Sequence, residues 1–260
     1  MPADTLSLEG KIAIVTGSGR ENGIGAGIAL ALARNGCAVT INYVSDSVTE
    51  RAKALAEKLR AVGGRATVVQ TTVVTPEGAQ LLVDETLKAF NTDHIDILVN
   101  NAGVGITGAT LEHKPETINQ IFDVNVKGPI YVAQAAVPHM PPGGRIINIT
   151  STASKVGMHD MPVYGASKAA VDSLTYSWAK EWGRSKGLTV NSLAPGPVMT
   201  DIVGTMKFGE GVTKEQREMT RAADRPGTIE DVGDAVLLIV SEKSRWITGQ
   251  YIGVSGGVTN

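Results

Sequence analysis

The sequence has a single cysteine, Cys37, so it can form neither an internal disulfide nor a cysteine-built metal site. Aromatic residues make up only 4% of the chain and its formal charge is −2, which leaves no basic footprint for nucleic acid. The histidines, at 94, 113, 139 and 159, form no pair four residues apart on a helix, which argues against a metal hydrolase. No stretch approaches the roughly 18 uncharged apolar residues of a membrane span. The opening Met1-Pro2-Ala3-Asp4-Thr5-Leu6-Ser7 lacks the basic–apolar pattern of a secretory leader. These absences predict a soluble, cytoplasmic protein with no metal, no membrane and no nucleic acid among its partners. Cys37 begins an apolar run and reads as a small buried hydrophobe.

What is present is alternation. Apolar, β-branched runs at 11–16, 37–43, 65–70, 95–100, 144–151, 188–194 and 249–254 are predicted strands. Helical patterns fill the intervals at 24–35, 48–62, 76–90, 115–138, 162–184 and 228–241. Runs such as Ile95-Asp96-Ile97-Leu98-Val99 are apolar on both parities, as in strands covered on both faces. The pattern predicts an α/β fold, a Rossmann-like doubly wound parallel sheet of seven strands flanked by helices. It predicts one dinucleotide-binding domain over residues 1–260. A polar, methionine-bearing excursion at about 201–224 reads as a surface loop or as a substrate lid.

The first strand runs into Thr16-Gly17-Ser18-Gly19-Arg20-Glu21-Asn22-Gly23-Ile24-Gly25 and then into a helix. Glycines permit a tight turn and close approach of the backbone to a pyrophosphate, and the helix start offers free N–H groups. The second strand ends Asn42-Tyr43-Val44-Ser45, with no acid at its tip to bind the ribose hydroxyls of NAD. Arg20 and the Ser45 hydroxyl can instead meet a 2′-phosphate, which favours NADP(H). Asp46 and Glu21 are nearby acids that would argue for NAD if they turned inward.

Tyr164 and Lys168 are four apart and share one helix face. Ser151, at the end of the apolar run Arg145–Thr150, can face that pair, and the three together can move a proton to or from an oxygen. A second pair, Tyr176 and Lys180, lies about 18 Å further along the same helix and reads as packing and surface.

These residues resemble the short-chain dehydrogenase/reductase family. The resemblance covers essentially the whole chain and rests on motifs in order: Thr16-Gly17…Gly23-Ile24-Gly25, Asn100-Asn101-Ala102-Gly103, Asn125 within Phe122–Gly128, Ser151, Tyr164-Gly165-Ala166-Ser167-Lys168, and Ala194-Pro195-Gly196-Pro197-Val198-Met199-Thr200. Asn42-Tyr43 and Trp246-Ile247-Thr248-Gly249 make it most similar to fungal polyketide ketoreductases of the hydroxynaphthalene and versicolorin reductase type. The resemblance implies reduction of a ketone with NADPH. Tyr164 would be the general acid, Lys168 would lower the tyrosine pKa and hold the nicotinamide ribose, and Ser151 would hydrogen-bond the substrate oxygen. Asn125 would bind a water linking Lys168 to solvent, at a kink favoured by Gly128-Pro129. Cofactor contacts implied are Gly17, Arg20, Asn22, Gly23, Ile24, Tyr43, Ser45, Thr72, Val73, Asn100, Ala102, Gly103, Tyr164, Lys168, Pro195, Gly196, Val198 and Thr200.

The chain departs from the family pattern in three places. The glycine loop is two residues longer between Gly17 and Gly23 and should bulge beside the adenosine phosphate. Thr72-Val73 stands where an aspartate usually meets the adenine, and Ser255 replaces the acid before the final Gly-Gly. Pocket walls are expected at Val104, Gly105, Met158–Met161, Met199 and Ile202–Phe208, which suits a bulky, partly apolar ketone. Two further readings stand beside the reductase: an NAD-dependent alcohol or sugar dehydrogenase, and a catalytically silent nucleotide-binding scaffold. Long apolar helix faces bearing Val132, Ala136, Val171, Leu174 and Trp178 predict a homotetramer or homodimer.

Overall fold

The computed structural model describes residues 5–200 and 218–258. The expected excursion at 201–224 and the pocket wall at 202–208 therefore lie wholly or mostly outside the described residues. Seven parallel strands form one sheet: β1 (Ile12–Val15), β2 (Ala38–Tyr43), β3 (Arg65–Gln70), β4 (Ile97–Asn100), β5 (Arg145–Ile149), β6 (Thr189–Pro195) and β7 (Tyr251–Val254). Their order is β3-β2-β1-β4-β5-β6-β7, so the winding reverses between β1 and β4. The loops that follow those two strands flank the crevice in which such sheets place ligands.

Helices cover both faces: α1 (Ile24–Arg34), α2 (Thr49–Ala61), α3 (Pro76–Phe90), α4 (Pro115–Phe122), α5 (Gly128–Ala136), the short α6 (Ala153–Val156), α7 (Pro162–Lys186) and α8 (Ile229–Val240). Side chains of a strand alternate between faces. Ala13 and Val15 of β1 thus join one apolar cluster with Ile28 and Leu32 of α1 and Val232 and Val236 of α8. Ile14 joins the opposite cluster, with Leu82 of α3, Val132 of α5 and Trp178 of α7. Each fully buried leucine or isoleucine contributes about 1.5–3 kcal/mol. The inner strands are buried throughout, as expected. The edge strands β3 and β7 are not, because each has a neighbour on one side only.

Local chemistry sets the helix ends. Thr75 caps α3 by accepting the Gly78 N–H, with Pro76 at the first position. Thr228 and Asp231 form a reciprocal capping box at the start of α8. Gly187, at φ 71°, ends α7. The expected single helix at 115–138 is interrupted: residues Asp123–Lys127 form a π turn between α4 and α5, before the Gly128-Pro129 pair that favoured a kink. The short helix α6 carries no sequence pattern and was not expected.

Candidate active site

The glycine loop is shaped by close approach. Gly17 has φ 63°, and a β-carbon there would come within 2.7 Å of Ala102 Cα. The next turn, Arg20 to Gly23, is closed by the Gly23 N–H donating to the Arg20 carbonyl at 2.9 Å. The two extra residues are thus folded into a tight turn, and Glu21 is fastened to Lys58 of α2 at 3.7 Å. Gly23 precedes α1 with no side-chain cap, so the first-turn N–H groups of α1 stay available to an anion. Ile24 begins that helix and Asn22 is exposed beside it.

The tip of β2 follows a different plan. Tyr43 is buried, its Cβ against Gly19, and its hydroxyl donates to Gln70 Oε1 at 3.3 Å. Gln70 in turn donates to Asp46 Oδ1 at 2.5 Å and to the Val44 carbonyl at 3.1 Å. Both acids that could have met a ribose are therefore held by neighbours, Asp46 by Gln70 and Glu21 by Lys58. Ser45 is exposed, sharing a 2.8 Å hydrogen bond with Ser47. Arg20 is exposed, and its guanidinium has no partner among the described residues. Val73 is buried, while Thr72 is half-buried and its hydroxyl accepts the Val74 N–H.

Across the crevice, Thr16 Oγ1 accepts the N–H groups of Asn101 and Ala102, each at 3.0 Å, tying the two loops together. Asn100 is buried; its amide donates to Asn148 Oδ1 at 2.8 Å, and its own Oδ1 has no partner. Gly196 follows β6 with Ser255 against it, a β-carbon there coming within 2.9 Å of Ser255 Cβ. Val198 pairs with Gly227, and Thr200 is half-buried.

The residues expected to transfer a proton converge where β5 ends. Lys168, 5% exposed, donates to the Ile149 carbonyl at 2.9 Å and lies 5.8 Å from the centre of the Tyr164 ring. Ser151 Oγ accepts the Ala153 N–H at 3.1 Å, and its hydroxyl is near enough to Tyr164 to lower the phenol's pKa. A β-carbon on Gly103 would sit 3.3 Å from both Lys168 Nζ and Asn125 Oδ1, so glycine there keeps the lysine open to the crevice. Asn125 is buried in the π turn. Its Oδ1 accepts the Val104 N–H at 2.8 Å, and its Nδ2 donates to the Val104 carbonyl and to Ser167 Oγ, each at 3.0 Å. Ser167 Oγ then donates to the Tyr164 carbonyl at 2.7 Å. Asn125 thereby braces the loop after β4 against the helix turn that holds Tyr164 and Lys168.

Desolvation opposes the expected lowering of the Tyr164 pKa. Burial raises that pKa, and the nearby Ser151 hydroxyl only partly opposes this. Burial likewise lowers the Lys168 ammonium to about 8, against the opposing pull of Asp172. Tyr176 and Lys180 stand apart, with the tyrosine 57% exposed and the ammonium stacked on its ring.

Of the substrate walls, Met161 is buried, Met199 is half exposed, and Asp160 accepts the Gly108 N–H at 2.8 Å. That bond joins the loop after β4 to the one before α7. Sequence reasoning missed two contributors, Asn42 and Asp172. Asn42 accepts the Gly17 N–H from within the sheet, and Asp172 lies one turn beyond Lys168. No group of three acidic, histidine or cysteine side chains suited to a metal occurs among the described residues. No helix among them is long and apolar enough to cross a membrane.

Comparison with known proteins agrees with this geometry. Residues 17–259 match the family model described as Enoyl-(Acyl carrier protein) reductase. The chain is 38% identical to the short-chain dehydrogenase/reductase FrzI of Cladobotryum sp, covering 97% of each. It is 37% identical to versicolorin reductase 1 of Aspergillus parasiticus, covering 98% of each. Among solved structures it superposes on the landomycin C-6 ketoreductase LanV with bound NADP and rabelomycin at a TM-score of 0.86, with 33% identity and 97% of each chain covered. A seven-stranded parallel sheet, a glycine loop at its switch point and a Ser–Tyr–Lys set at the end of β5, carried over this length of similarity, place the chain in the short-chain dehydrogenase/reductase family of oxidoreductases.

Proposed function

We propose that the protein reduces a bulky, partly apolar ketone to a secondary alcohol with NADPH, and that Ser151, Tyr164 and Lys168 carry out the proton transfer. The observation that carries this reading is the placement of Lys168, buried at the end of β5 with its ammonium nitrogen 5.8 Å from the centre of the Tyr164 ring.

The residues present fit a dinucleotide. Gly17 lets the glycine loop close directly against Ala102, the start of α1 is uncapped, and the orphaned Asn100 Oδ1 lies at the end of β4. Gly17, Gly23 and Ile24 would hold the pyrophosphate. Asn100, Ala102 and Gly103 would line the adenosine side, Pro195, Gly196, Val198 and Thr200 the nicotinamide side, and Thr72 and Val73 the adenine. Arg20 and Ser45, both exposed beside the β2 tip, would take the 2′-phosphate. NADPH, when bound, supplies the hydride.

Tyr164 then gives its proton to the oxygen on which charge grows, and Ser151 steadies that oxygen by a hydrogen bond. Lys168 supplies positive charge that stabilises the phenolate left behind. Asn125 keeps this set in register. Its side-chain amide holds Val104 and Ser167, and Asn125 would bind the water that links Lys168 to solvent. The methionines at 158, 161 and 199 give an adaptable apolar wall, suited to an aromatic polyketide ketone of the kind named for the relatives.

Turnover of NADPH with a panel of fused-ring aromatic ketones tests the reading. NADPH should outperform NADH, and Arg20→Ala should weaken NADPH at least tenfold, on the order of one charge-assisted hydrogen bond, while sparing NADH. Equal use of both nucleotides would overturn the cofactor assignment. Val132, Ala136, Val171 and Trp178, the residues behind the expected homotetramer or homodimer, are buried within the chain and cover the sheet. The proposed oligomer is tested by sedimentation, where a monomer would refute it.

A further inference from the structure

Ser151, Tyr164 and Lys168 leave one polar group on the same helix face without a role. Tyr164, Lys168 and Asp172 follow one another at intervals of four along α7. The Asp172 side chain is 8% exposed. Its Oδ2 accepts the Ser154 hydroxyl at 2.7 Å and lies 3.5 Å from Lys155 Nζ. Its Oδ1 is buried without a hydrogen-bond partner. A carboxylate so deeply placed is costly unless cations and donors compensate it.

Here the compensating groups come from two directions. Ser154 and Lys155 belong to α6, which starts two residues after Ser151, and Ser151 Oγ accepts the N–H of Ala153, the first residue of α6. Lys168 belongs to α7 itself. The carboxylate therefore joins the segment that presents Ser151 to the helix that presents Tyr164 and Lys168.

We propose that Asp172 is a positioning residue of the catalytic set, tethering the Ser151–α6 segment to α7 and placing its carboxylate one helical turn from Lys168. This rests on the catalytic reading of Ser151, Tyr164 and Lys168 given above. The titratable groups that face the pair are few. Tyr164 lies on α7 and Lys155 on α6, with the Lys155 ammonium 5.1 Å from the Tyr251 ring of β7. From the β4 loop and the π turn come Gly103 and Asn125, which do not titrate. Asp123 and Lys127 of the π turn pair with each other at 2.7 Å. Asp172 is thus the carboxylate that opposes the burial of Lys168.

The test compares pH profiles of kcat/KM for the wild type, Asp172→Asn, Asp172→Glu and Ser154→Ala. Asparagine can still accept the Ser154 hydroxyl but carries no charge. Lys168 should then lose its proton more easily, by about tenfold, and the basic limb should move to lower pH by about one unit. Asp172→Glu should restore the limb. Ser154→Ala should lower kcat several-fold at every pH, leaving the limb and the KM for ketone in place. A folded Asp172→Asn protein with the wild-type limb overturns the proposal. Should that variant not fold, Ser154→Ala decides: a wild-type kcat overturns the tether and a lowered kcat supports it. Tyr164→Phe runs alongside. Activity retained there sinks the catalytic reading itself, whereas activity lost there with an unmoved Asp172→Asn limb sinks only the role of Asp172.

Discussion

The side-chain oxygen of Asn42, buried in β2, accepts the backbone N–H of Gly17 at 3.1 Å, while its amide nitrogen donates to the carbonyls of Thr71 at 2.9 Å and Val69 at 3.4 Å. One residue thus fixes the glycine loop after β1 to the end of β3 across the strand between them. Replacing Asn42 by Ala strands the Gly17 N–H and two carbonyls. The expected cost is about 2–3 kcal/mol of stability, with weaker nucleotide binding. Urea unfolding and NADPH fluorescence titration measure the two effects. A variant with wild-type stability and affinity would show that the clamp is dispensable.

Helices α1 and α8 meet through glycines. A β-carbon at Gly27 would collide with the Ile229 carbonyl group, 2.7 Å from its carbon, and one at Gly233 would come within 2.6 Å of the Gly27 carbonyl oxygen. Gly27→Ala should cost about 1–3 kcal/mol by forcing the helices apart. It should also tilt the start of α1, so thermal unfolding and NADPH affinity should fall together.

Asp231 closes the capping box of α8 and pairs with Arg225, whose two terminal nitrogens reach its carboxylate at 2.5 and 3.0 Å. That pairing is the main reason its pKa is lowered to about 2. A carboxyl with a depressed folded pKa stabilises above its unfolded value, near 3.8, and loses that contribution as pH falls toward about 2. The pair is partly exposed, so solvent screening limits the contribution to about 1 kcal/mol or less. The wild type should lose this increment between about pH 4 and pH 2, and Arg225→Ala should lose less of it. Parallel acid-unfolding curves for the two proteins would contradict the assignment.

Much of the fold could be read from the chain because the inner strands are unbroken apolar runs and the helices between them are periodic. The short α6 escaped notice because Ala153-Ser154-Lys155-Val156 is too brief to show a period. The interruption in the helix at 115–138 was signalled by Gly128-Pro129, whose proline has no N–H to continue the ladder. That Ser151, Tyr164 and Lys168 come together was legible from spacing, but the direction of the Tyr164 shift was not, since it depends on desolvation of the phenol by the surrounding fold. The roles of Asn42 and Asp172 were hidden for a related reason. Their partners are distant in sequence, at Gly17 and Thr71 for one and Ser154 for the other, and meet them only through the sheet order and helix packing.

The central claim is that Tyr164 delivers the proton to a ketone reduced by NADPH. Its most direct test is single-turnover reduction of an aromatic ketone by the wild type and Tyr164→Phe, with NADPH binding measured on both. The phenylalanine protein should bind NADPH as the wild type does and lose turnover by about a hundredfold or more. Turnover equal to wild type in Tyr164→Phe, with NADPH bound equally well, would contradict the account.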